Sequence, residues 1–295
     1  MAATTPLEPV AAAVTGYRPR RGLAEFVRRN PTIAAGGAIL AFMAAVALLA
    51  PWIAGNPITF EPIDRLRPPS AEFWFGTDNL GRDVYARTVY GARISLIVGL
   101  LVAAVTIALG LVIGLVAGFY RGLDGVVMRI MDGIMAIPGI LLAIALVALT
   151  RASVEIVIAA IAIPEIPRVV RLVRSVVLTV REQPYVDAAI ASGTRTARIL
   201  FRHILPNTVA PLIVQATYIV ASAVITEAAL SFLGAGVPPE IPTWGNMIAD
   251  ARLFLQIAPW PIFFPGLCLA ILVLAVNILG DGLRDRLDPR IARRM

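Results

Sequence analysis

The sequence holds no Lys, one His (His203) and one Cys (Cys268), and these absences restrict the chemistry open to it. A P-loop grips nucleotide phosphates with a Lys after its second Gly, so this chain cannot bind and hydrolyse nucleotide by that route. One His and one Cys cannot build a zinc site, a His-rich metal relay or an intrachain disulfide. No nucleophile and base stand at a spacing that suits an intramembrane enzyme. What remains is a set of charges in apolar surroundings. Glu227 lies one helical turn before Ser231, Arg168, Arg171 and Arg174 recur every third residue, and Asp187 stands in a polar stretch. A carboxylate at membrane depth costs about 2.5 to 3.5 kcal/mol on insertion scales, so Glu227 must face the bundle interior or water. There it can hydrogen-bond between helices, line a pathway, or bind a proton or substrate. The Arg triplet reads as the positive inner end of a span, or as the sensor of a six-helix voltage-responsive channel. Nothing between the last two apolar runs resembles a potassium filter, because Gly236-Val237-Pro238-Pro239 is followed by Glu240 and Pro242.

The elements that position these residues are membrane helices. The 295-residue chain is 58% hydrophobic and 15% charged, with mean hydropathy +0.81, and one soluble core of that length cannot hide so much apolar surface. The expected fold class is all-α and polytopic. A spanning helix needs about 20 apolar residues, because the bilayer core cannot satisfy open backbone groups. Uncharged runs lie between Arg29 and Glu61, Arg93 and Arg121, Asp132 and Arg151, His203 and Glu227, and Arg252 and Asp281. The first is too long for the core of a cleaved signal and reads as a permanent anchor. A sixth candidate, about Ala152 to Pro167, is interrupted by Glu155 and Glu165 and fails on hydropathy alone.

Arginine accumulates on cytoplasmic loops, and that bias decides the sixth span. Six spans with both termini inside place 19 of the 26 Arg on the cytoplasmic side; five spans from the same start leave 8 there. The chain therefore divides into a cytoplasmic tail (1–30), a first transmembrane helix (31–54), an external segment (55–92), five further helices (93–285) and a short inside tail (286–295). Its net charge of +7 suits an anionic cytoplasmic membrane surface, with membrane lipid rather than nucleic acid as the partner.

The inside loop from about 168 to 206 alternates helix formers with punctuation. Pro184 is placed to open a short helix, Asp187 falls in its first turn, and Gly193 is its expected end. Thr194 or Thr196 can then cap a second helix, ending at Pro206, in which Arg195, Arg198 and Arg202 share one face. Such a unit is either a rigid knob joined to two spans or an amphipathic loop on lipid headgroups.

Here the residues carry a resemblance. Asp187-Ala188-Ala189, three residues, Gly193, ten residues and Ile204-Leu205-Pro206 resemble the EAA loop of permease subunits in binding-protein-dependent ABC importers. Three further blocks resemble the C-type permease of dipeptide, oligopeptide and nickel importers. They are Phe75-Gly76-Thr77-Asp78-Asn79-Leu80-Gly81-Arg82-Asp83, Glu227-Ala228-Ala229-Leu230-Ser231-Phe232-Leu233-Gly234 with Trp244-Gly245-Asn246-Met247, and Leu279-Gly280-Asp281-Gly282-Leu283-Arg284-Asp285. Asp187 departs from the family's usual Glu, and Pro164-Glu165-Ile166-Pro167 from its usual fourth span.

The resemblance implies a type I ABC importer permease of the bacterial inner membrane, itself non-catalytic and binding no cofactor. It would pair with a second homologous permease and couple to two ATP-binding subunits that use ATP and Mg. An external solute-binding protein would deliver di- or oligopeptides, with nickel or glutathione as alternatives inside the family. The coupling residues would be Tyr185, Asp187, Ala188, Ala189, Gly193, Ile204, Leu205 and Pro206, with Glu227 and Ser231 as a polar site in the bundle. Glu227-Ala228-Ala229 is a second EAA-like string, but its Gly234 comes one residue too late and its surroundings are apolar.

Four smaller expectations complete the reading. Asp132 and Arg129 are spaced for an ion pair, Pro138 and Gly139 can kink the third span, and Cys268 reads as a small apolar filler. The charges Asp78, Arg82, Asp83 and Arg87 form either an internally paired cap or a gate that meets the delivery protein.

Overall fold

Proline and small polar residues set the helix boundaries of the computed structural model, which describes residues 23–150 and 153–287. Most of the two terminal tails, Arg151 and Ala152 lie outside the described residues. Helix α1 (Leu23–Arg29) leads to α2 (Pro31–Ile53), whose opening Pro occupies a position where a helix needs no N–H bond. After a segment of turns with one short 3-10 helix, Pro62–Asp64, helix α3 (Val84–Phe119) starts where the Asp83 carboxylate accepts the Tyr85 N–H at 2.8 Å. Then come α4 (Arg121–Met135), α5 (Gly139–Ala148) and α6 (Val154–Arg181), the last capped by Ser153 on the Ile156 N–H at 3.3 Å. The rest is α7 (Pro184–Ala191), α8 (Thr196–Ile199), α9 (Leu205–Phe232), α10 (Trp244–Ala251) and α11 (Trp260–Leu287). Among the described residues there is no strand; one isolated bridge joins Thr77 and Asp83.

Helix pairs in lipid gain little from hydrophobicity, so close packing depends on small residues that let backbones approach. The pair α3 and α6 shows this most clearly. Gly110, Gly114 and Gly118 face Val169, Val173 and Val177 in step, so the two helices run side by side in the same direction. Helix α11 comes equally near α2, where Gly36 lies against the Ala275 carbonyl and Gly282 against Thr32 and Ile33. One core cluster lies among α3, α6 and α9 and continues into Val186, Ile199 and Ile204. A second gathers Met43, Trp244, Met247 and Leu272, with Cys268 packed on it as the expected filler.

Helices 31–53, 84–119, 196–232 and 260–287 are long and apolar enough to cross a membrane. The third expected span is instead two helices, α4 and α5, bent by 82°. Pro138 is the cause: it has no N–H to continue α4, and it stands as the residue before α5 with φ −53° and ψ 124°. Counting the bent pair as one span gives five. The sixth long helix is α6, which carries too many charges to register as apolar but is buried along its length by α3 and α9. Because α3 and α6 are parallel, the chain must return between them, and α4 and α5 make that return.

Residues 168 to 181, expected as loop, extend α6 by nearly four turns. Likewise the last nine residues of the 55–92 segment already belong to α3.

The arginines of α6 are paired. Arg168 binds Glu165 at 2.8 Å, Arg171 binds Asp132 at 2.5 Å, and Arg174 grips both oxygens of Asp124 at 2.5 and 2.6 Å. Asp132 therefore serves α6 and not Arg129, because α4 lies antiparallel along α6 and turns Asp132 toward it. Bidentate pairs at partial burial exceed the surface average of roughly 0 to 1 kcal/mol. Asp124→Asn is expected to lower the thermal midpoint of the purified protein measurably, whereas Glu182→Gln, whose exposed carboxylate lies 3.3 Å from the neighbouring Arg181 and 4.0 Å from Arg121, leaves it in place. Equal midpoints for the two variants would show that α4 is not held by this pair.

Candidate functional site

Helix α7 is closed by its own backbone. Gly193 takes φ +73°, and this left-handed residue lets the Thr194 N–H reach the Ala189 carbonyl at 3.0 Å while the Gly193 N–H reaches that of Ile190 at 2.9 Å. At the other end, Pro184 occupies the first turn with Asp187. Val186 is fully buried and anchors the helix on the core that holds Ile199 and Ile204, with Ala189 half-buried beside it. The rest of the helix is open: Tyr185, Asp187 and Ala188 are exposed around the anchor and Ile190 is exposed one turn beyond it, and the Tyr185 ring lies 6.1 Å from that of His203. Arg181 fixes the approach to α7 by donating to the Gly118 and Phe119 carbonyls at 3.3 and 3.2 Å, where α3 ends.

The exit from this unit differs from the expected short capped helix. Neither Thr194 nor Thr196 caps α8: the cap position falls on Arg195, which makes no side-chain cap bond, and Thr196 is already the first helical residue. Nor does the helix stop at Pro206. It passes through a π turn, Leu200–Ile204, in which the Leu205 N–H bonds the Leu200 carbonyl, and so runs on into α9. The missing Pro206 N–H and its ring account for this wider turn. Ile204 is buried, Leu205 half-buried and Pro206 exposed; Arg195, Arg198 and Arg202 are all exposed, as their common face predicts. The structure thus gathers Val186, Ile199 and Ile204 into one core cluster and leaves the exposed α7 residues as a knob at one end of the bundle.

The charges at the opposite end close on themselves. The Asp78 carboxylate accepts the Leu80 and Arg82 N–H groups at 2.8 and 2.9 Å and the Arg82 Nε at 2.6 Å. Arg82 then donates to Asp250 of α10 at 3.2 Å. Arg87, 1% exposed, lies 3.8 Å from Asp78 and 4.0 Å from Asp250. This is the paired cap, with Asp250 as a fourth member. Asp83 is not part of it; it caps α3, and burial raises its carboxyl above the usual range while the Tyr85 and Ala86 N–H groups act to lower it. Two indoles tie the cap down: Trp244 Nε1 donates to the Thr88 carbonyl at 2.9 Å and Trp260 Nε1 to that of Thr77 at 3.0 Å. Asn246 Nδ2 lies within 2.9 to 3.2 Å of the Val237, Pro238 and Ile241 carbonyls, which sets the turn between α9 and α10.

Between the two ends, Glu227 is fully buried and its Oε1 accepts the Ser231 hydroxyl at 2.9 Å. The bond lies within α9, not between helices, as the four-residue spacing allows. Its other oxygen makes no close hydrogen bond among the described residues, but the Thr243 hydroxyl at the head of α10 acts on the same carboxylate.

Comparison with known proteins fits this geometry. The family described as the binding-protein-dependent transport system inner membrane component matches residues 107–293. A probable peptide ABC transporter permease protein of Sinorhizobium fredii is 60% identical over 267 residues, 90% of this chain and 92% of its own. The chain belongs to this family.

Two more relatives place it among the ABC permeases. A dipeptide transport system permease protein of Alkalihalophilus pseudofirmus is 44% identical over 94% of this chain and 92% of its own. A glutathione transport system permease protein of Escherichia coli is 42% identical over 90% and 88%. The inward-facing MetNI methionine ABC transporter shares the fold, with TM-score 0.56 at 20% identity over 68% of this chain and 96% of that one. Membership decides for the importer permease over the voltage-responsive channel: this is a multi-pass membrane protein of a family that works with ATPase and solute-binding partners.

Residues outside the sequence-derived site prove central to its geometry. Val186 anchors the knob, and the available signal was a β-branched apolar residue beside Asp187 in the helix's first turn. Asp250 and Trp260 complete the permease's cap from more than 160 residues away in sequence, a separation across which no local pattern points.

Proposed function

We propose that this permease forms half of a translocation pathway for di- and oligopeptides and is driven from outside itself, through α7. The supporting observation is the helix anchored by Val186 on the core of α3, α6 and α9, with Tyr185, Asp187, Ala188 and Ile190 presented outward. A push on that face moves a short rigid body packed on α6 and α8 and joined through Val186 to the main core, while a loop lying on lipid would need no such anchoring. In this reading two ATPase subunits receive α7 and use ATP and Mg, a second, homologous permease completes the pathway as a heterodimer, and the chain itself is non-catalytic and holds no cofactor. Both termini and α7 lie on the cytoplasmic side, lipid surrounds the outer helix faces, and an external solute-binding protein delivers substrate at the cap.

Peptide as substrate follows the relatives, whose names include peptide, dipeptide and glutathione carriers. A single His, lying beside Tyr185, disfavours a His-lined nickel route in this chain.

Tyr185→Cys tests the arrangement, since the one native thiol, Cys268, is partly buried in the second cluster. With the assembled complex in membranes, a bifunctional thiol reagent is expected to join the new Cys to an ATPase subunit carrying a groove cysteine. Labelling of that Cys from outside intact cells, without any such cross-link, would reject both the coupling role and the orientation.

A further inference from the structure

The strongest unassigned feature is a cleft of about 260 Å³ where α9 gives way to α10, at the same end of the bundle as the cap. Its wall includes Phe232, Pro238 and Pro239, and its polar lining includes Ser231, Asp250 and Arg252. The two charges are of opposite sign and differently held. The Asp250 side chain is 31% exposed, with Arg82 at 3.2 Å and Arg87 at 4.0 Å on the cap side. Arg252 is exposed; its Nη1 donates to the Phe232 carbonyl at 2.8 Å, and its guanidinium lies over the Phe232 ring at 5.4 Å from the centroid. That carbonyl and ring orient Arg252 while leaving its other nitrogens unpaired among the described residues.

A carboxylate and an oriented guanidinium in one small cleft with apolar walls complement a solute that carries an ammonium at one end and a carboxylate at the other. We infer that this cleft is a contact site for the charged termini of a short peptide entering the permease, the ammonium on Asp250 and the carboxylate on Arg252. The inference rests on the peptide reading of the substrate and adds to it a place and a pair of residues. The cleft suits a dipeptide better than a long chain, and its apolar wall accepts varied side chains without selecting one.

Asp250 is also the cap's link to α10. An ammonium arriving there competes with Arg82 for the same carboxylate, so occupancy of the cleft loosens the tie between α10 and the segment that carries Asp78. Solute arrival and rearrangement of the cap thereby share one residue.

The test uses the whole complex in proteoliposomes with its solute-binding protein and a dipeptide bearing a photoreactive side chain. Illumination is expected to label residues 231–252, and excess unlabelled dipeptide is expected to suppress that labelling. Arg252→Gln, which leaves the cap's four charges intact, is expected to lower both labelling and uptake at subsaturating dipeptide about tenfold, the loss of roughly one charge-assisted contact. Asp250→Asn is expected to do the same and to act less on a dipeptide whose amine is blocked. Labelling confined to other segments, or full labelling in Arg252→Gln, overturns the site while leaving peptide transport standing. Failure of the wild-type complex to take up any dipeptide overturns the peptide reading, and this site with it.

Discussion

Gly114→Leu is expected to abolish recovery of folded protein, the largest effect of any single substitution considered. A Cβ at Gly114 would stand 2.7 Å from the Val173 Cβ and 2.9 Å from the Val170 carbonyl oxygen, and the second neighbour is backbone that cannot rotate away. Relief would require α3 and α6 to separate, but Gly110 at 2.5 Å and Gly118 at 2.7 Å hold the same contact one turn to either side. Overpacking a core commonly costs about 1 to 3 kcal/mol, and here three consecutive contacts are lost together. Fluorescence-detected size exclusion of the isolated chain in detergent checks it. Gly114→Leu is expected to shift to the void volume, and Gly125→Leu, whose added Cβ meets nothing within 4 Å, keeps the native peak. Gly114→Ala with Val173→Ala is expected to recover part of the loss. A native peak for Gly114→Leu would show that α3 and α6 do not pack in this register.

Helix ends were legible in the sequence wherever a local hydrogen bond makes them. Gly193 was expected to end α7, and it does so with positive φ. The second EAA-like string arises from the same physics: α9 ends at Gly234 with φ +80° and the Ala235 N–H on the Leu230 carbonyl at 2.8 Å, repeating the turn that closes α7. What separates the two strings is exposure, since Glu227 is buried and Asp187 exposed. Features that depend on a distant partner could not be read. The arginines of α6 looked like loop charges because Asp124 and Asp132, which neutralise them, lie on another helix. The π turn needed the structure as well, because Pro206 alone is equally consistent with a stop. Charge bookkeeping picked out α6 as a helix of the bundle where hydropathy failed, because it counts where arginines collect and not how apolar each helix is.

Gly193→Val is expected to leave the complex assembled and to lower substrate-stimulated ATP hydrolysis about tenfold, an effect on coupling alone. Nothing lies within 4 Å of a Cβ built at Gly193, so crowding plays no part; the penalty is conformational. A β-branched residue held at φ +73° costs about 1 to 3 kcal/mol, enough to move the backbone out of the left-handed region. The bonds from Gly193 and Thr194 to Ile190 and Ala189 then break, and the last turn of α7 frays. Val186, buried near the start of the helix, keeps its anchor, so docking persists while the transmitted push is absorbed by the loosened end. Asn tolerates the left-handed region better than other non-glycine residues, so the order of stimulated hydrolysis is expected to be Gly, Asn, Ala, Val. Reconstituted vesicles with the solute-binding protein give the measurement, with assembly followed by co-purification of the ATPase subunits. Undiminished stimulation in Gly193→Val would show that the closing turn transmits nothing, and loss of the ATPases from the complex would assign Gly193 to docking instead of transmission.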